Sequence, residues 1–266
     1  MPPGRFPHRF FAMANFSFAS RITDGTAVFN REEYRHVITV LRKKTGDQIN
    51  FLDGRGGTYS GIITAVDAVA GTFAAEVTSH RRHPPAIPPL TLALALPKGK
   101  KFSFVIQKAV ELGISRIMPL ETRYAVKQLP AKSRDRERKF SQWRKTALEA
   151  AKQCGNPYLP DIHSPLPLSS LPLPAAEDCV KLLFHGQAVH GIASQAASLA
   201  RAREVIMIIG PEGGFSPDEV AYLDEHDCRT IHLGPNILRL ETAVIAATAV
   251  VRYLTEAPYS PIPSSS

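Results

Sequence analysis

Two stretches near the carboxyl end of the chain share one hydrophobic pattern. Residues 205–209 and residues 230–233 are short apolar runs, and a glycine-proline loop follows each of them. Apolar runs of this length between turn residues are typical of buried strands. A helical pattern follows each loop, and Ser216 and Glu219 have the spacing of a capping box at the start of the first helix. Loops at the carboxyl ends of parallel strands often bind small molecules, so this stretch is the candidate site.

The pattern of these two loops also fits a purely structural role. Neither loop has the glycine spacing of a P-loop or of a dinucleotide-binding turn. Gly213 and Gly214 allow the backbone to approach a ligand or to adopt a positive φ. Two ordinary strand-to-helix turns would look the same, so the pattern alone leaves both interpretations open.

The pattern between residues 90 and 257 predicts alternating strands and helices. Predicted strands lie at residues 90–96, 114–120 and 180–184, and predicted helices at residues 102–112, 131–153, 188–200 and 240–254. Strand, helix and strand in this order predict a parallel sheet in an α/β fold. Residues 157–174 are rich in proline and are expected to be mostly connection. The last helix is almost free of charge, so we expect it to be buried within the monomer or between subunits.

Residues 1–83 have a different pattern, with short strands separated by turns. Predicted strands lie at residues 27–29, 47–52, 59–66 and 72–77, and residues 32–41 have apolar positions at helical spacing. This pattern predicts a small β-barrel-like module, a class that often binds nucleic acid but that could equally serve as a packing domain. Cations that could contact phosphates cluster around the helix: Arg31, Arg35, Arg42, Lys43 and Lys44. Four prolines within residues 83–89 predict a stiff linker at 84–89.

The formal charge of +8 is unevenly distributed along the chain. Residues 1–83 carry 11 Lys/Arg against 7 Asp/Glu, residues 84–160 carry 15 against 5, and residues 161–266 carry 6 against 12. The basic surplus therefore lies outside the two loops, which suggests that one part of the chain holds a polyanion. Cations expected to contact such a partner include Lys98, Lys100, Lys101, Arg138 and Arg144. A solvated basic helix is the alternative for the last two.

Cysteine, histidine and apolar patterns narrow the class of protein further. The chain has three widely spaced cysteines, Cys154, Cys179 and Cys228, which predict neither a disulfide framework nor a zinc site. The spacing of the histidines predicts no metal site. No apolar run is long enough to span a membrane, and residues 10–19 fit an edge strand at least as well as an export signal. We therefore expect a cytoplasmic protein with no membrane partner.

Several segments of the chain resemble the RsmE family of SPOUT-class methyltransferases. The resemblance rests on Gly-Pro-Glu-Gly-Gly at 210–214, Leu-Gly-Pro-Asn-Ile-Leu-Arg-Leu-Glu-Thr-Ala at 233–243, and on residues 104–113, 149–154, 36–42, 46–47 and 53–54. It implies methylation of N3 of a uridine in the 16S ribosomal RNA of the small ribosomal subunit. The uridine that the family methylates is uridine 1498. The implied cofactor is S-adenosylmethionine, which leaves as S-adenosylhomocysteine, and no metal is implied.

The resemblance also implies a fold that periodicity does not predict. It implies a SPOUT-type parallel sheet with a deep trefoil knot at the carboxyl end, preceded by a small PUA-like β-barrel domain that binds RNA. The expected organisation is a PUA-like domain at 1–83, the linker at 84–89, a methyltransferase domain at 90–257 and a disordered tail at 258–266. The family forms homodimers, to which the apolar last helix would contribute.

The resemblance assigns roles to individual residues. Those expected to bind the methyl donor are His185, Ile209, Gly210, Pro211, Glu212, Gly213, Gly214, Leu233, Gly234, Ile237, Leu238, Leu240 and Thr242. Arg239 is the first candidate for favouring deprotonated uridine N3, because a nearby positive charge lowers the pKa of a neutral acid. Arg9 and Arg123 match family positions and are the next candidates, and Arg9 is also an expected RNA contact. An ion pair of Arg239 with Glu212 or Glu241 is the structural alternative.

Two positions depart from the family pattern. The family commonly has an arginine where this chain has Asn156, which is therefore a candidate replacement for an RNA contact. A glutamate often follows the family's counterpart of His185, whereas Gly186 follows it here. A methyltransferase for another RNA, or an RNA-binding protein without catalysis, remains the alternative function.

Overall fold

The structure is a computed structural model that describes residues 16–97, 101–125 and 133–255. The chain divides into two compact units: residues 1–83 with 151–157, and residues 84–150 with 158–266. The expected tail at 258–266 lies outside the described residues. Within the described ranges, no helix is both long enough and apolar enough to cross a bilayer.

The first unit is built on a sheet whose described strands follow the order β1-β4-β5-β6-β3-β2. The strands are β1 Phe16–Phe18, β2 Arg21–Thr23, β3 Thr26–Phe29, β4 Gln48–Leu52, β5 Gly57–Asp67 and β6 Thr72–Arg82. Neighbouring strands are antiparallel except β1 and β4. The four predicted strands are all present, and β6 continues beyond the predicted end.

Stacked phenylalanines form the core of the first unit. Phe29, Phe51 and Phe73 are buried, and the rings of Phe29 and Phe73 stack with centroids 4.3 Å apart. The predicted helix begins as α1, Arg31–Tyr34, and continues as a π-helical turn, Arg35–Val40. Asn30 caps α1 because its side-chain oxygen accepts hydrogen bonds from two backbone amides of the first turn.

The end of a long helix from the second half of the chain belongs to the first unit. Helix α3, Ser133–Cys154, ends within the segment 151–157. The Lys152 ammonium lies 2.8 Å from a carboxylate oxygen of Glu33, and both side chains are buried. The Gly56 amide also donates to the carbonyl of Pro157. These contacts join segments that are far apart in sequence, so local pattern does not predict them.

The second unit contains a parallel sheet whose described strands follow the order β10-β8-β7-β13-β11-β14-β12, with β9 paired to β8. The strands are β7 Leu90–Ala95, β8 Arg116–Glu121, β9 Asp161–Ile162, β10 Leu166–Pro167, β11 Cys179–Phe184, β12 His190–Gly191, β13 Glu204–Ile209 and β14 Arg229–His232. The helices are α2 Lys101–Glu111, most of α3, α4 Ala196–Leu199, α5 Pro217–Glu225 and α6 Leu240–Thr255. The prediction of a parallel α/β sheet is confirmed.

One prediction of secondary structure is wrong. Residues 188–200 form β12, a 3-10 turn and the short α4 instead of one helix. The Ser194 hydroxyl donates to the carbonyl of Gly191, a local bond that favours a turn over a continuous helix. Residues 157–174 are mostly connection, as expected, and they also contain the two-residue strands β9 and β10, which pair with β8.

Helix α6 buries one face and leaves another exposed. Val244, Ala247 and Val251 are buried, whereas the side chain of Tyr253 is 80% exposed. Arg252 is buried as well, because its guanidinium donates to the backbone carbonyls of Pro88 and Gly113. The expected burial of this helix therefore holds for one face of the described monomer.

Candidate functional site

Three loops meet at the carboxyl edge of the parallel sheet. Strand β11 lies between β13 and β14 and is parallel to both. The two predicted loops, which follow β13 and β14, therefore flank a third loop that follows β11. The sequence did not identify this arrangement because the order of strands depends on contacts between distant segments.

The three loops enclose a pocket of about 720 Å³. Its lining includes every expected donor-binding residue except Thr242, which is exposed on the first turn of α6. Arg239 also lines the pocket. Lining residues that sequence reasoning did not assign are Phe184, Gly186, Gln187, Phe215, Ile231, His232, Asn236 and Ala243. Most of these residues are strand ends or loop neighbours of assigned residues. The predicted ends of the three strands could therefore have indicated them.

The first loop lines the pocket with bare backbone at two glycines where aromatic side chains leave little room for a Cβ. A Cβ on Gly210 would lie 2.9 Å from the ring of Phe215. One on Gly213 would lie 3.2 Å from the Cβ of Tyr124. Gly214 has φ +74°, which a residue with a side chain rarely adopts. The loop is thus a cradle of bare backbone that a ligand can approach closely.

The predicted capping box fixes the end of the first loop. The Ser216 hydroxyl accepts from the Glu219 amide, and a Glu219 carboxylate oxygen accepts from the Ser216 amide at 2.8 Å. The other Glu219 oxygen accepts from the backbone amide of Arg123 at 2.8 Å. The Arg123 guanidinium lies 3.5 Å from Asp218 and is well exposed. Arg123 is therefore placed at the start of α5, beside the first loop.

The second loop is held at its start by a histidine. The Nδ1 atom of His232 accepts from the amide of Gly234 at 3.0 Å, so neutral His232 carries its proton on Nε2. In the third loop, His185 Nδ1 accepts from the Gln187 amide. Farther along the second loop, Ile237 is 91% exposed. The second loop thus offers apolar and charged side chains rather than bare backbone.

Two residues of the pocket lining, Glu212 and Arg239, belong to a cluster of charges. The Lys101 ammonium lies 2.8 Å from a Glu212 oxygen and 3.8 Å from a Glu241 oxygen. The hydrogen bond with Glu212 is the main cause that raises the pKa of Lys101, and the charge of Arg239 opposes it. Among the described residues, neither carboxylate pairs with Arg239, so the ion pairs considered for Arg239 are formed by Lys101 instead.

The remaining candidate residues lie outside this pocket. Asn156 belongs to the first unit, where its backbone amide donates to the carbonyl of Ala151. Exposed cations of the first unit include Arg31, Arg35 and Arg42, while Lys43 donates to the carbonyl of Gln48. Arg138 and Arg144 are exposed on α3. Arg9, Lys98 and Lys100 lie outside the described residues.

The buried cysteines do not supply a nucleophile. Burial raises the pKa of both Cys179 and Cys228 to about 11, so each stays a thiol at neutral pH. Among the described side chains, no three His, Cys, Asp or Glu are grouped so that they could hold a metal ion. The described lining of the pocket offers backbone groups, apolar side chains, two histidines, Glu212 and Arg239.

Sequence comparisons match two domain families. The family described as RNA methyltransferase domain matches residues 84–252, and the family described as RNA methyltransferase PUA domain matches residues 29–69. The ribosomal RNA small subunit methyltransferase E of Bacillus subtilis is 33% identical over 233 residues, which cover 85% of this chain and 89% of that protein.

Solved structures share the fold. A Legionella pneumophila protein, solved in complex with the cofactor SAM, is 27% identical with a TM-score of 0.80 and covers 91% of this chain and 98% of its own. The ribosomal RNA small subunit methyltransferase E of Neisseria gonorrhoeae, bound to S-adenosyl methionine, has a TM-score of 0.79 with the same coverage. Its identity of 22% supports the likeness of fold alone.

Proposed function

Because the chain belongs to the ribosomal RNA small subunit methyltransferase E family, we propose that it methylates N3 of a uridine in 16S ribosomal RNA. The methyl donor is S-adenosylmethionine, and the substrate is the small ribosomal subunit with its uridine 1498. The observation that carries this proposal is the pocket at the sheet edge, where bare backbone and the exposed Arg239 face one space.

The pocket fits the donor in size and chemistry. Its volume of about 720 Å³ lies within the usual range for a small-molecule site. The bare backbone at Gly210 and Gly213 suits close contact with the donor, and Leu233, Ile237 and Leu238 offer apolar surface for the adenine. When bound, S-adenosylmethionine supplies an electrophilic methyl group on a sulfonium. The loops would hold the methyl carbon of the donor ~3 Å from N3 of the uridine, which is catalysis by positioning.

Arg239 is the proposed source of chemical activation. Uridine N3 carries a proton at neutral pH, and a guanidinium beside the base favours the anion that results when this proton leaves. Arg239 lines the pocket, and among the described residues Glu212 and Glu241 form ion pairs with Lys101 rather than with Arg239. Arg123, beside the first loop, and Arg9 are secondary candidates for contact with the substrate.

Cations outside the pocket are proposed to hold the RNA. Arg31, Arg35, Arg42 and Lys43 of the first unit, and Arg138 and Arg144 of α3, would contact phosphates, and Asn156 is the proposed replacement for the family arginine. Lys98 and Lys100 belong to the same proposed set. Contacts of this kind release counterions, so affinity for RNA should fall steeply as salt is raised.

The finer features of the fold are also proposals. We infer a PUA-like domain at 1–83, a linker at 84–89 and a catalytic domain at 90–257 whose carboxyl end forms a deep trefoil knot. The exposed face of α6, with Ala249 and Tyr253, supports a homodimer formed through this helix. Action on small ribosomal subunits puts the protein in the cytoplasm.

Transfer of labelled methyl from S-adenosylmethionine tests the proposal. Unmethylated small subunits, naked 16S ribosomal RNA, transfer RNA and a sample without RNA serve as parallel acceptors. We expect label in ribosomal RNA only, mapped to N3 of one uridine. Label in transfer RNA, or on another atom, would replace the substrate, and binding of RNA and donor without any transfer would contradict catalysis.

A further inference from the structure

Lys101 joins the two loops that flank the pocket. It is the first residue of α2, and its ammonium lies between Glu212 of the first loop and Glu241, which follows the second loop. These three side chains come from segments far apart in the chain. Their meeting point therefore couples the positions of both loops to the start of one helix.

The ammonium offsets a repulsion that would otherwise act between the loops. Two carboxylates close together repel each other, and the repulsion is stronger where water is partly excluded. The side chains of Lys101 and Glu212 are each 39% exposed and that of Glu241 is 22% exposed. The Glu241 Oε2 atom is buried and accepts no hydrogen bond from a described residue. The charge of Lys101, 3.8 Å away, is what compensates this oxygen.

The same arrangement decides what Arg239 can do. Arg239 lies two residues before Glu241 and lines the same pocket as Glu212, and its charge opposes the increase in the pKa of Lys101. If Lys101 lost its charge, the buried Oε2 of Glu241 would lose the cation that compensates it, and the exposed Arg239 is the neighbouring group that could replace that cation. An arginine paired with a carboxylate no longer presents a net charge to the substrate.

We propose that Lys101 is a positioning residue that holds Glu212 and Glu241 between the two loops and leaves Arg239 free to act on the substrate base. This role replaces the RNA contact expected for Lys101 from sequence, and it rests on the proposed function of the pocket. The hydrogen bond to Glu212 raises the pKa of Lys101, so the bridge stays charged below that pKa and is lost only at strongly alkaline pH.

A set of variants separates this role from an RNA contact. Lys101→Met removes the charge, Lys101→Arg keeps it, and Lys101→Met combined with Glu241→Gln removes the carboxylate that would capture Arg239. Lys108→Met is the matched control. Lys108 lies on the same helix, its ammonium is 2.8 Å from a carboxylate oxygen of Glu111, and neither residue lines the pocket. Each variant is tested for methyl transfer between about pH 6 and 9 and for salt-dependent binding of RNA.

We expect Lys101→Met to lower transfer at neutral pH about ten-fold, which corresponds to about 1.4 kcal/mol of barrier. Its pH–rate profile should move to higher pH, since a neutralised Arg239 lowers the pKa of uridine N3 less. Lys101→Arg and the double variant should recover most of the loss, and Lys108→Met should match the unaltered protein. A weaker RNA affinity with a shallower salt slope, but an unchanged pH profile, would make Lys101 an RNA contact and overturn the proposal.

Calorimetry with S-adenosylhomocysteine measures the effect of the bridge on binding without any RNA acceptor. Because the bridge ties both loops together, Lys101→Met should weaken binding of this product several-fold while Lys108→Met leaves it unchanged. If the unaltered protein bound the product but methylated no RNA, the proposed function would fail and the bridge would still be measurable. Equal binding by Lys101→Met and the unaltered protein would overturn the bridge itself.

Discussion

The two loops that flank the pocket are built in opposite ways. The first loop is fixed by close packing and hydrogen bonds, with its own Phe215 against Gly210, Tyr124 from outside the loop against Gly213, and Glu219 bonded at its end. The second loop is held at its start by His232, and it carries the exposed Ile237 and Arg239. The first loop therefore supplies a preformed backbone surface, whereas the second supplies side chains. Substitutions in the first loop should affect binding and stability together, whereas loss of Arg239 from the second loop should affect catalysis alone.

The largest expected effect is that of Arg239→Ala in the second loop. Loss of the guanidinium removes the charge that favours deprotonated uridine N3, so methyl transfer should fall well over ten-fold. The melting temperature should stay within about 2 °C, because the residue is exposed and surface substitutions change stability little. Rates and thermal unfolding measured side by side check both expectations.

Arg203→Ala is the matched control for this variant. Arg203 is also exposed, but it precedes β13 at the opposite end of the strand and pairs with Asp178. It should retain full transfer. Near-normal turnover by Arg239→Ala would contradict the hypothesis that the second loop supplies the catalytic side chain.

The next effect is that of Gly210→Ala in the first loop. The added Cβ would lie 2.9 Å from the buried ring of Phe215, so either the ring or the loop must move. Overpacking of this kind costs about 1–3 kcal/mol. Donor affinity should fall roughly ten-fold with a lower melting temperature, measured by calorimetry and thermal unfolding.

Gly186→Ala tests whether any added methyl in the pocket has this effect. A Cβ at Gly186 would lie 3.7 Å from Ile237, which is ordinary van der Waals contact, so this variant should bind the donor within about three-fold of the unaltered protein. Equal losses in both variants would show that the first loop is no more constrained than its neighbour.

Local features of the site could be predicted from sequence, whereas long-range ones could not. The capping box of Ser216 and Glu219 depends on residues three apart, and the pattern predicts it correctly. The third loop depends on β11 lying between β13 and β14, an order set by distant contacts. The same limit applies to Lys101, whose charge looked like part of a basic surface until its two carboxylate partners were placed beside it.

A smaller effect is expected for Glu219→Ala at the end of the first loop. The substitution removes the carboxylate that accepts from the Ser216 amide, which is one of the two bonds of the capping box, and it removes the acceptor of the Arg123 amide. Loss of a cap costs about 1 kcal/mol, which lowers the melting temperature by about 2–4 °C for a protein of this size. Asp218→Ala is the control, since the Asp218 side chain is 88% exposed, and it should shift the midpoint less. A larger shift for Asp218→Ala would mean that charge near the helix start, not the cap, fixes the loop.

The smallest effect is expected for His232→Ala, which sharpens the comparison from the side of the second loop. It removes the acceptor of the Gly234 amide, a bond worth about 1 kcal/mol, and leaves an amide that water can reach at the pocket edge. Donor affinity should fall about three- to five-fold, because the start of the loop becomes less ordered, and His232→Asn should recover part of it through its side-chain oxygen. Calorimetry with S-adenosylhomocysteine measures both variants. A loss as large as that of Gly210→Ala would mean that the second loop is also preformed, and that the two loops differ in the groups they present rather than in how firmly they are held.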